Sequence, residues 1–120
     1  MNRDHERALR AHVDAELERA GEALQARSVE RAWASLERAH VLSQPSAGLH
    51  TRVHAAMLVL AIRTGDIREI FGQIVRVAVG GLGSALGRFP VGNTGRARVP
   101  IMAEMPIPRD VQSVFDEIGI

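Results

Sequence analysis

Val29-Glu30-Arg31-Ala32-Trp33-Ala34-Ser35-Leu36-Glu37-Arg38-Ala39-His40-Val41-Leu42-Ser43, followed by Gln44-Pro45-Ser46-Ala47-Gly48, is the stretch whose reading decides the fold. Ala32, Trp33, Leu36, Ala39, His40 and Ser43 recur at spacings of three and four, the stripe of one helical face. Ser28 stands before the stripe as an N-cap, without the acidic residue of a full capping box. The Gln44-to-Gly48 run, with its proline, stops the helix near Ser43.

The same period extends both ways. Upstream, Leu9, Val13, Leu17, Ala20 and Leu24 predict a first helix from Arg3 to about Arg27. Downstream, a third helix begins near Ser46 or Gly48 and runs through His50, Val53, His54, Met57, Leu60 and Ala61 to Gly65, a natural C′ residue. Asp66 caps a fourth helix, whose apolar stripe is Ile67, Ile70, Phe71, Ile74, Val77 and Ala78 and which gives way to the glycines from Gly80 to Gly87. Beyond Arg88, Pro90, Pro100, Pro106, Pro108 and the Gly92-Asn93-Thr94-Gly95 turns exclude helix until Arg109–Ile118, where Val111, Val114, Phe115 and Ile118 share a face. The expected fold is all-α: one domain over 1–120, with a bundle of about four helices (3–87) and an extended Gly/Pro-rich tail with a short terminal helix (88–120). Val99, Ile101, Met102, Met105 and Ile107 are apolar enough for that tail to pack on the bundle.

With 120 residues, 46% hydrophobic and 24% charged, the chain has the balance of one folded domain. It has no cysteine, so disulfides and thiolate chemistry are excluded and any metal needs N or O ligands. All fifteen basic residues are arginine, which excludes Schiff-base and P-loop lysines. A net charge of +1 and 3% aromatics leave no nucleic-acid footprint. The charged N-terminus lacks a signal-peptide core, and Val53–Ile62 is too short to span a bilayer, so a cytoplasmic protein without a membrane segment is expected.

The residues that carry chemistry are histidines and carboxylates. Glu37 and His40 form Glu-x-x-His on the second helix, a spacing used by di-iron bundles. His50 and His54 are four apart on the third, in one narrow sector with Met57 and Ala61. Burying three imidazoles requires hydrogen bonds or coordination. Glu69, Gln73 and Arg76 share a second face of the fourth helix, and if that face turns toward helices two and three, Glu69 supplies a carboxylate. The bland alternatives are core histidines bonded to carbonyls, a Glu37 paired with Arg38 or Arg31, and methionines that fill gaps and ligate no copper(I). The Gly92–Gly95 segment reads as a turn in preference to an anion-binding nest.

Leu36–Gln44, His50, His54-Ala55-Ala56-Met57-Leu58, Arg68–Arg76, Pro90–Gly95 and Met105–Pro108 as a set resemble the bacterial family catalogued as domain of unknown function 3703. The resemblance covers nearly the whole chain and implies a bacterial origin and a single fold. It also implies a setting beside metal-resistance genes, in line with the histidines, and assigns no catalytic role. The function expected is binding of a divalent transition metal (iron, zinc, manganese or nickel) by His40, His50, His54, Glu37 and Glu69, for metal handling or metal-dependent, dinuclear chemistry. The alternative is a non-enzymatic interaction or homodimerisation module: Trp33-x-x-Leu36 resembles one tetratricopeptide unit, although a solenoid needs several.

Overall fold

Local capping chemistry sets where each helix begins. In the computed structural model, which describes residues 1–85, 92–101 and 103–120, with side chains described up to 79 and from 92, the Asn2 side chain accepts from the His5 N–H at 2.8 Å and opens α1 (Arg3–Gln25). Ser28 accepts from the Arg31 N–H and starts α2 (Val29–Ser43). Ser46 does the same for Leu49 at the head of α3 (Ala47–Thr64), which ends on Gly65 at φ 68°. The Asp66 carboxylate then accepts from the Glu69 N–H at 3.1 Å and starts α4 (Ile67–Ala85). After Pro108 comes α5 (Arg109–Ile118).

Among the described residues all regular structure is helical. α1 packs on α2, α3 on α4, and the pairs meet where α2 lies against α3, while α5 closes over α1 and α2. The shared core is built from the stripes read in the sequence for α1, α2, α3 and α5, with Leu9, Val13, Trp33, Leu36, Val53, Met57, Val111 and Phe115 all buried, and Leu49 joins them. The radius of gyration, 13.4 Å, matches the ~13.6 Å expected for one compact body of this length. No helix among the described residues is long and apolar enough to cross a membrane.

One buried charge organises the first pair. Glu16 is 3% exposed and accepts from Arg19 at 2.7 Å and Arg38 at 3.0 Å, and Arg38 continues to Asp110, so α1, α2 and α5 meet at one ion cluster.

One expectation changes and one conditional reading is met. α4 does not end at Gly80 but runs on to Ala85, since glycine weakens a helix by about 1 kcal/mol without forbidding it and no proline intervenes. More consequentially, α4 turns its polar face inward: Glu69, Gln73 and Arg76 are buried while Ile67, Phe71 and Ile74 face out. In the tail, Ile107 packs against the core and Ile101 is exposed, whereas Leu86, Gly87, Pro90 and Met102 lie outside the described residues.

Candidate metal centre

The inward face of α4 has its reason in what it meets. His40 comes from the last turn of α2, His50 and His54 from successive turns of α3, and all three are buried. Their Nε2 atoms form a near-equilateral triangle: His40 to His50 2.9 Å, His40 to His54 3.0 Å, His50 to His54 3.1 Å. The ring centroids are 4.7 Å apart in each pair, so the rings radiate from a common point instead of stacking.

The outer nitrogens decide which atoms face that point. His40 Nδ1 lies 2.5 Å from the Asn93 carbonyl, which can only accept, so Nδ1 carries the proton. His54 Nδ1 lies 2.7 Å from Gln73 Oε1. The Gln73 amide is oriented by its other end: Nε2 donates to Glu69 Oε2 at 3.1 Å and to the Gly95 carbonyl at 2.8 Å, leaving Oε1 to accept from His54. His40 and His54 therefore both point an Nε2 lone pair inward, 3.0 Å apart, and two neutral imidazoles so arranged cannot hydrogen-bond to each other.

A charged imidazolium is disfavoured at the triangle. Burial, followed by the neighbouring imidazoles His54 and His50, holds His40 well below the ordinary histidine value. Burial and then His54 lower His50 to about 4. His54 is lowered by burial, against the opposing effect of the Gln73 hydrogen bond, with Arg76 adding to the decrease. The three Nε2 atoms lie close enough together to hold a metal ion. His40, His50 and His54 would hold such an ion through Nε2, and imidazole nitrogens are ordinary ligands of divalent transition metals.

The carboxylates expected beside the histidines are held elsewhere. Glu69 is buried and accepts from Arg96, from the Ala97 N–H at 3.1 Å and from Gln73, while Glu37, half-buried, is 3.5 Å from the same Arg96. Arg96 in turn lies 3.8 Å over the Trp33 ring. Among the described residues, the acidic and imidazole groups close enough to share an ion are the three histidines. Met57 is fully buried core, and His5 and His12 lie half-buried on α1.

Residues 92–97 close the site, and their backbone matters more than the sequence suggested. Asn93 donates from its side chain to the carbonyls of Pro100 and Ala103 and accepts from the Gly95 N–H, while Gly92 N–H donates to Gln44. Those two N–H groups are engaged, and carbonyls are what the segment offers His40 and Gln73, so it is not a nest for an anion. Gly95 sits at φ 80°, and a Cβ there would lie 2.6 Å from His40 Cδ2 and 2.8 Å from Nε2. Arg76 pins the segment to α4 through the carbonyls of Arg96 (3.1 Å) and Val99 (2.7 Å). Asn93, Gly95 and Arg96 were not legible as site residues, because the segment has no periodicity; Gln73 and Arg76 were marked only by sharing a face with Glu69.

The family described as Protein of unknown function (DUF3703) matches residues 7–115. No curated protein matches the chain, and no solved structure does.

Proposed function

The chain belongs to the DUF3703 family, and we propose that it binds one divalent transition-metal ion through the Nε2 atoms of His40, His50 and His54. The observation that carries this reading is the convergence of three buried Nε2 atoms within 3.1 Å of one another, with those of His40 and His54 turned inward as lone pairs by the Asn93 carbonyl and the Gln73 amide. Second partners that orient a ligating imidazole are a regular property of metal sites. Glu69 serves as the outermost member of the relay Glu69–Gln73–His54, and Glu37 steadies Arg96, which holds Glu69. With both carboxylates so engaged, a mononuclear site is the better supported form. An all-imidazole donor set suits zinc, iron or nickel better than manganese, which prefers oxygen ligands, and positions left open on the ion would suit either metal handling or metal-dependent chemistry.

The test is elemental analysis and calorimetric titration of protein purified without a histidine tag. One ion per chain is expected for the wild type, and no uptake by His40→Ala or His54→Ala at ion concentrations that saturate it. A wild type that takes up no ion, or variants that keep it, would overturn the assignment. An interaction role has separate support in the exposed apolar side of α4, and the two readings are compatible.

A further inference from the structure

α4 is amphipathic in reverse. Because Glu69, Gln73 and Arg76 must reach the imidazoles and the 92–99 segment, the helix spends its inward side on polar groups. Its apolar side is consequently left in solvent: Ile67 is 68% exposed, Phe71 66%, Val75 52%, Ile74 48% and Val79 46%, with Ala78 exposed among them. We propose that this face is the interface of a two-fold symmetric homodimer, in which Ile67, Phe71, Ile74 and Ala78 of one copy pack antiparallel on the same residues of the second.

A second copy suits this face for three reasons. The first is spacing: Ile67, Phe71, Ile74 and Ala78 follow one another at four, three and four residues, the seam along which two α-helices interdigitate. The second is area. With ~150–200 Å² for each of these large side-chain residues when fully exposed, the fractions above leave roughly 500 Å² of apolar surface on one helix, so a symmetric pair that covered all of it, Val75 and Val79 included, would remove about 1,000 Å², the lower bound for a specific interface. A contiguous apolar patch of this size often marks a functional surface. The third is charge. Between Ile67 and Val79 the charged residues are Arg68, Glu69 and Arg76, and the last two are buried in their own protomer. The face can therefore meet its own image without opposing like charges, as an isologous contact requires. A membrane surface fits less well, since interfacial helices border their apolar side with several basic residues and this one has Arg68 alone.

The dimer does not depend on the ion, and its test is separate. Sedimentation of the full chain at about 200 μM, high enough to populate a weak interface at the small end of the size range, should give twice the 13.1 kDa mass of one chain. Phe71→Glu and Ile74→Glu should sediment as single chains with unchanged helical circular dichroism. Since the protein has no cysteine of its own, a mixture of Phe71→Cys and Ile74→Cys copies, whose thiols face each other across the antiparallel seam, offers a reading that does not depend on charge. Mild oxidation should trap the mixture as a covalent dimer, and should leave Ser113→Cys on the exposed side of α5 a monomer. A wild type that sediments as one chain at this concentration overturns the proposal, as do folded charge variants that remain dimeric. Should the charge variants unfold, failure to trap the Phe71→Cys and Ile74→Cys mixture overturns it alone. A monomeric wild type that binds anionic vesicles would assign the face to lipid, against the proposal.

Discussion

Single atoms decide how the candidate centre behaves. Gln73 is fully buried and holds the proton of His54 on Nδ1, so Gln73→Leu should weaken ion binding by about 10–100-fold, as loss of an outer partner does elsewhere. Calorimetric titration measures it, and wild-type affinity in the variant would remove Gln73 from the site. Gly95 and Gly65 both sit at positive φ, but a Cβ at Gly65 meets nothing while one at Gly95 meets the His40 ring. Gly65→Ala should therefore lower the melting temperature through backbone strain alone and keep ion binding, whereas Gly95→Ala should lose it. Ion binding retained in Gly95→Ala would show that the segment yields. Protonation has a definite sign: the three imidazoles have folded values below the unfolded 6.5, so the unfolded chain takes up more protons as pH falls. The stability they contribute is present above about pH 6.5 and is lost as pH falls toward about 4, the value for His50. Chelated wild type should melt progressively lower across that window, and His40→Asn/His50→Asn/His54→Asn should show a flatter profile; equal slopes would contradict the shifts.

At the scale of elements, the histidines were legible because their spacing is a property of one helix at a time. His50 and His54 stand four apart on α3, and His40 ends the buried stripe of α2, so their inward direction follows from periodicity. Which side of α4 faces in does not follow from periodicity. Its apolar stripe is real, but the opposite side is held by partners that no local pattern announces: His54, 19 residues away from Gln73, and Ala97, 28 away from Glu69. Glu69 tests how firmly. Glu69→Ala leaves Arg96 mostly buried with only Glu37 at 3.5 Å, and should destabilise the protein by about 3 kcal/mol, as loss of one partner from a buried ion pair does. Chemical denaturation reads this, and a change under 1 kcal/mol would mean that the pair does not hold α4 in its orientation.

For the whole molecule, an ion on His40, His50 and His54 acts on stability by mass action. At a free concentration near 100 times its Kd the gain is about 2.7 kcal/mol, a rise in melting temperature on the order of 10 °C for a chain of this length. Chelation that leaves wild-type melting untouched would contradict any bound ion. The placement of the centre also has a consequence for time. α1 with α2, and α3 with α4, are antiparallel pairs of sequence neighbours, whereas the three imidazoles lie on the seam between the pairs and their outer partner Asn93 arrives 53 residues after His40. Local pairs form early on a folding pathway and distant closures late, because the loop entropy must be overcome first. The ion is then absent from the rate-limiting step and grips only the finished protein. Saturating ion should leave the refolding limb of the chevron where it was and move the unfolding limb down by the whole stabilisation, roughly 100-fold in rate for that 2.7 kcal/mol. A centre assembled across the last seam to close works as a latch on the way out and not as a guide on the way in.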